Sequence, residues 1–251
     1  IGANKEVNLI IDQGNSVCKV AVYGAGKQQM STCVSDLNES ILREISLRYT
    51  DIRALIYSSV SSRPCPDFGA YFTALEQIVI LAADTPVPVE VAYDRSSLGS
   101  DRLAAVVGAY HLTRGERPAL VIDAGTAVTY EYIAVGGRYL GGNIAPGLWL
   151  RLKALNSFTS RLPLIDELPE ARVEAYGRET RSAMLSGCLL GLEREVAGYI
   201  EDMRRRHPEA YIYMTGGDAP LLAERLEAYQ VQVVPELVLL GLNEILEYNK
   251  I

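Results

Sequence analysis

Residues 9 to 19 read LIIDQGNSVCK. An apolar run ends on Asp12, then come Gly14, Asn15 and Ser16, and then Lys19. A short run of this kind reads as a buried strand, and a buried strand has no packing use for a carboxylate at its end. The stretch also recurs. LVIDAGTAV, residues 120 to 128, aligns without gaps with LIIDQGNSV, residues 9 to 17, and five of nine positions are identical. One D-x-G is a weak signal. Two copies in the same strand–turn–strand setting, each opening one half of the chain, predict an internal repeat. The expectation is two similar α/β domains, 1–115 and 116–251, facing each other across a cleft.

The turns suggest what they hold. Gly14 and Gly125 let a ligand approach the backbone without a Cβ in the way. Asn15, Ser16 and Thr126 add donors, and Lys19 suits a phosphate as a point charge. Asp12 would repel a bare phosphate. An aspartate beside a phosphate-binding turn therefore implies a cation, ordinarily Mg2+ held through water. The bland alternative for one copy alone is an aspartate that caps a tight hairpin. A third glycine turn, TGGDAPLL at residues 215 to 222, follows a strand and opens a helix, so its backbone N–H groups could face a nucleotide.

Composition narrows the partners. The chain has 251 residues, enough to bury a large core without disulfide or metal staples. Its net charge is −7, and no basic face for nucleic acid is evident; the dense cluster Arg204-Arg205-Arg206 reads as a helix end. No run of 18 apolar residues spans a membrane, and no signal-peptide pattern opens the chain. Four scattered cysteines and two histidines give no zinc spacing, and with the missing signal they fit reduced thiols in the cytoplasm.

Hydrophobic periodicity alternates between strand and helix. Val7 to Ile11 and Val17 to Tyr23 read as a hairpin, with a further strand near Gln28 to Val34. Leu37 to Leu47 reads as a helix, Ala54 to Tyr57 as a strand, Phe68 to Leu81 as a helix and Val89 to Ala92 as a strand. Ser100 to Leu112 is a clear helix, with Ser100 as N-cap and Asp101 in its first turn. The second half gives strands at Ala119 to Ile122, Val128 to Val135 and Arg138 to Leu140. A long helix follows at Thr180 to Arg205, then strand Tyr211 to Met214, helix Ala219 to Ala228, strand Val231 to Val234 and helix Leu237 to Glu247. His111 reads as a helix C-terminal residue and Trp149 as core or interface.

The ordered turns D-x-G-N, D-x-G-T and T-G-G resemble the nucleotide-binding turns of the acetate and sugar kinase, heat-shock ATPase and actin superfamily. That resemblance implies two ribonuclease-H-like domains of the actin-like ATPase kind around a nucleotide. Four further stretches narrow it: GSDR at 99 to 102, YLGGNIAPGL at 139 to 148, TRSAMLSG at 180 to 187, and TGGDAPLL. Together they resemble the type III pantothenate kinases, from residue 7 to about 245. There are departures. The stretch before GSDR, from Tyr93, is one residue shorter than the family's and lacks its proline. Asn15-Ser16 replaces Asn-Thr, and Asp218 stands where the family has an uncharged residue.

The resemblance implies roles residue by residue. Asp101 would be the general base on the pantothenate hydroxyl. Asp12 (with Mg2+ through water), Gly14, Asn15, Ser16, Lys19 and Thr126 would bind ATP. Tyr93, Gly99, Ser100, Arg102 and Thr180 would bind pantothenate, with Thr180 coming from the partner in a homodimer unless it only caps its helix. Asp123 would hold a monovalent cation, K+ or NH4+. The implied activity is ATP-dependent phosphorylation of pantothenate, the first step of coenzyme A synthesis. Two rivals remain at this point: a regulatory protein that kept the fold and lost catalysis, and a sugar or acetate kinase of the same superfamily.

Overall fold

The computed structural model describes residues 7–15, 17–169 and 173–250. In chain order the strands are β1 (Val7–Gln13), β2 (Cys18–Gly24), β3 (Lys27–Val34), β4 (Ile52–Ser59), β5 (Gln77–Ile80), β6 (Glu90–Val91), β7 (Ala119–Ala124), β8 (Ala127–Ala134), β9 (Arg138–Pro146), β10 (Tyr211–Thr215) and β11 (Gln232–Val233). The helices are α1 (Glu39–Arg48), α2 (Ser100–Thr113), α3 (Leu148–Ser157), α4 (Thr180–Leu185), α5 (Gly191–Arg206), α6 (Ala219–Arg225) and α7 (Leu237–Tyr248). They form two compact units. The first runs to Arg114 and takes in Gly137–Tyr139 and the stretch from Glu236; the second holds Gly115–Gly136 and Leu140–Pro235. The expected cut at 115/116 thus differs at the C-terminus, where α7 joins the first unit.

The first unit is built on the sheet β3-β2-β1-β4-β5. β1 pairs antiparallel with β2 and parallel with β4. The middle of β1, Leu9 to Ile11, is apolar because both faces of the strand are covered there. Leu9 and Ile11 enter one core with Val20, Val22, Leu42 and Phe68, while Ile10, also fully buried, points the other way. Helices α2 and α7 pack on each other at backbone distance. A Cβ at Gly241 would lie 1.8 Å from the Ala104 carbonyl oxygen, and one at Gly108 would lie 2.4 Å from that of Leu237. Two glycines therefore fix how α2, which carries Asp101, is seated.

In the second unit, strand β7 pairs antiparallel with β8 and parallel with β10, which pairs parallel with β11. This repeats the β2-β1-β4 arrangement of the first unit, so the duplicated sequence is a duplicated hairpin. The match runs further than the hairpins. Asp12 sits opposite Ser58 on β4, and Asp123 sits opposite Thr215 on β10; both hydroxyl residues are fully buried. Leu120, Ile122, Val128, Leu192, Val196 and Met214 form the core of this unit.

Several expectations are corrected. Phe68 to Leu81 is a short 3-10 turn at Phe68–Ala70 followed by β5, which pairs parallel with β4. Gln77-Ile-Val-Ile is β-branched, and a neighbouring strand edge decides its conformation over helix propensity. The N-cap of α2 is Gly99 rather than Ser100. The long helix from Thr180 carries a π turn at Ser186–Leu190. Helix α6 ends at Arg225, and α3 was not anticipated.

Candidate active site

Asp12 is the penultimate residue of β1, directly across the hairpin from Lys19 and beside Ser58 on the parallel strand. Ser58 Oγ lies 3.1 Å from Asp12 Oδ1 and 2.9 Å from Ser100 Oγ. A hydroxyl has one proton. Both contacts are satisfied when Ser58 donates to the carboxylate and accepts from Ser100. Ser100 is the first residue of α2, so this short chain ties the end of β1 to the helix that carries Asp101. Burial and the negative charge of Asp101 push the Asp12 carboxyl up to about 6, against the pull of Ser58 and Lys19. In the turn, Gly14 N donates to Val17 O at 2.9 Å, and a Cβ on Gly14 would meet that same oxygen. Asn15 is exposed and Lys19 half-buried, whereas Ser16 lies outside the described residues.

The first turn of α2 is folded tightly around Asp101. Its Oδ1 accepts from Arg102 N at 2.8 Å and sits where a Cβ on Gly99 would come within 2.6 Å of it. Gly99 is thus needed for the carboxylate to lie back over the helix start, where the dipole favours its charge. Arg102 is buried. Its Nη2 donates to Tyr139 Oη at 3.1 Å, its guanidinium lies 5.2 Å from the centre of the Tyr93 ring, and the two rings stack at 6.0 Å. The first unit therefore brings Asp12, Ser100 and Asp101 into one group and Tyr93 and Arg102 into another, joined through Asp101 and Arg102.

In the second unit, the β7–β8 turn carries Asp123 and the exposed Thr126, whose carbonyl accepts from Gly147 N at 2.9 Å. The TGG turn packs on it. Gly216 has φ +94°, and a Cβ there would lie 2.4 Å from the Ala124 carbonyl oxygen and 2.5 Å from Asp123 Oδ1. Only glycine fits so close an approach. Asp218 N donates to Ala124 O at 2.9 Å, and Asp218 Oδ1 accepts from Trp149 Nε1 at 3.2 Å. Burial raises the Asp218 carboxyl, and the Trp149 donor opposes this. Thr180 is the exposed first residue of α4, but the cap of that helix is made by Glu179 and Ser182 in a reciprocal box. Thr180 is not the N-cap.

The donor chemistry fits Mg2+ at Asp12. Among the described residues no group of three or more metal-ligating side chains gathers. One or two carboxylates suit an ion that keeps several waters and takes the rest of its shell from phosphates. Asp123 Oδ1 and the Ala124 carbonyl oxygen both lie close against Gly216, so the second aspartate is packed under the TGG turn. Sequence reasoning missed Ser58 and Tyr139. The signal for Ser58 was present: ALIYS, residues 54 to 58, and YIYMT, residues 211 to 215, are both strands ending on a hydroxyl.

A family model for type III pantothenate kinase matches residues 8–202. The chain belongs to that family. A type III pantothenate kinase of Porphyromonas gingivalis is 43% identical over 96% of this chain and 98% of its own length. One from Bacteroides fragilis is 40% identical, over 97% and 98%. Among solved structures, a Campylobacter jejuni protein described as a candidate Baf family transcriptional activator aligns with a TM-score of 0.60 at 21% identity, covering 96% and 98%. Component A of (R)-2-hydroxyglutaryl-CoA dehydratase from Acidaminococcus fermentans aligns with a TM-score of 0.52 at 16% identity, covering 98% and 100%. At such identities these two speak for the fold alone, and with it the expected actin-like ATPase and sugar kinase architecture is borne out.

Proposed function

We propose that the protein transfers the γ-phosphoryl group of ATP to the primary hydroxyl of pantothenate, giving 4'-phosphopantothenate and ADP, the first step of coenzyme A synthesis. The observation that carries this reading is the linked pair Asp12 and Asp101, which joins a phosphate turn to a first-turn helix carboxylate through Ser58 and Ser100. Asp101 is the general base. It accepts the hydroxyl proton as the oxygen forms its bond to the γ-phosphorus and the bond to ADP breaks. A base within one hydrogen bond of the hydroxyl suffices, because that proton leaves late in a loose transition state. Gly14, Asn15, Ser16, Lys19 and Thr126 take the ATP phosphates. Asp12 would hold Mg2+ through water, and the ion would supply charge neutralisation at the phosphate oxygens.

Tyr93, Gly99, Ser100 and Arg102 are assigned to pantothenate, whose carboxylate suits the guanidinium fork. Thr180 would be added by the partner of a homodimer. Asp123 would take K+ or NH4+. The setting we assign is the cytoplasm; no helix among the described residues is long and apolar enough to cross a membrane. The test is coupled ADP release with ATP, Mg2+ and K+, with and without pantothenate. Pantothenate-dependent turnover that weakens when K+ is replaced by Na+ supports the reading. ADP release indifferent to pantothenate refutes it.

A further inference from the structure

The buried hydroxyls Ser58 and Thr215 occupy equivalent places beside the two repeated aspartates, yet they do different things. Thr215 Oγ1 donates to the Pro235 carbonyl at 3.2 Å, a backbone contact of its own unit's loop. Ser58 instead stands between two side chains, Asp12 Oδ1 and Ser100 Oγ. It has no exposed surface, so its hydroxyl cannot turn to solvent. A buried hydroxyl between two polar groups has one low-energy hydrogen-bond pattern, and it holds both neighbours in place.

We propose that Ser58 is a positioning residue that locks the end of β1 to the first turn of α2, so that Asp12 and Asp101 keep one separation and one orientation. This rests on the kinase reading above for its purpose, though not for its geometry. Ser58 touches neither substrate nor the reacting atoms. It acts through Asp12, as an outer partner of a metal-holding carboxylate does, and losing such a partner costs ~10–100-fold in metal affinity or activity. It also acts through Ser100, whose hydroxyl it engages at the helix start.

The experiment compares Ser58→Ala, Ser100→Ala and the double variant with the wild type. Calorimetry gives the affinity for Mg2+ with a non-hydrolysable ATP analogue, and steady-state kinetics give kcat and KM. The expected result for Ser58→Ala is a loss of about tenfold in both affinity and kcat, with the KM for pantothenate within about twofold of wild type. In Mg2+–nucleotide affinity the double variant should be no worse than Ser58→Ala, because for that readout both changes cut one chain. Affinity and kcat of Ser58→Ala within twofold of wild type would overturn the proposal, as would losses of Mg2+–nucleotide affinity that multiply in the double variant. Should Ser58→Ala fail to fold, Ser100→Ala cuts the same chain from its half-buried end and is read by the Mg2+–nucleotide affinity, where a loss supports the proposal and wild-type affinity overturns it. A wild type that binds the nucleotide but ignores pantothenate would sink the kinase reading, while the affinity arm would still decide the role of Ser58.

Discussion

Replacing Asp12 by Asn should make the empty protein more stable while it destroys activity. Asp12 has an ordinary carboxyl value of 3.8 and is raised to about 6 in the fold, chiefly by burial and then by Asp101. A raised acid favours folding only when protonated. Its stabilising share is therefore complete below pH 3.8 and is lost as the pH rises through about 6. At about 1.4 kcal/mol per unit, holding the charged carboxylate costs about 3 kcal/mol at neutral pH. At pH 5 about half of that cost remains. An amide keeps the acceptor for Ser58 and removes the charge, but it has a burial cost of its own, which leaves a net gain of roughly 1–2 kcal/mol. For a chain of this length that is roughly 2–8 °C in melting temperature. The assay is urea unfolding of both proteins at pH 7.5 and pH 5, with chelator and without nucleotide. The advantage of the Asn variant should be larger at pH 7.5. An Asn variant that is less stable at pH 7.5, or whose margin is the same at both pH values, would refute the reasoning.

Other outcomes follow from the close contacts. Gly216→Ala places a Cβ 2.4 Å from the Ala124 carbonyl at φ +94°, so it should cost roughly 1–3 kcal/mol in urea unfolding and weaken nucleotide binding by calorimetry. Gly241→Ala drives a Cβ to 1.8 Å from the Ala104 carbonyl oxygen, so it should push α7 off α2 and lower the unfolding midpoint by at least as much. Arg102→Lys keeps the charge but loses the fork; the KM for pantothenate should rise about tenfold with the KM for ATP unchanged, in steady-state assays.

The repeat was legible because both of its faces are constrained. Asp12 and Asp123 end apolar strands buried on both sides, and Gly14 and Gly125 allow tight turns, so residues 9 to 17 and 120 to 128 could hardly vary without losing the hairpin. Helix α2 was equally plain from its spacing. What escaped depends on contacts distant in sequence. Strand β5 takes its conformation from the edge of β4, and its exposed Ile78 and Ile80 carry no amphipathic signature of a core strand. Helix α7 joins the first unit through Gly108 and Gly241, which are 133 positions apart and ordinary in their local sequence. Ser100 looked like an N-cap, but Gly99 takes that place, and the Ser100 hydroxyl faces a serine 42 positions earlier. Arg102 was legible as a candidate for the pantothenate carboxylate. Its aromatic seat on Tyr93 and Tyr139 was not, because Tyr139 reaches it from 37 positions away.

The most direct test of the whole account is mass-spectrometric detection of 4'-phosphopantothenate from pantothenate and ATP, with wild type and Asp101→Asn side by side. The wild type should form the product in step with ADP. Asp101→Asn should bind the Mg2+–nucleotide normally yet form product at least ~100-fold more slowly, the usual share of a general base. An Asp101→Asn variant as fast as the wild type, or a wild type that makes ADP without phosphorylated pantothenate, would contradict it.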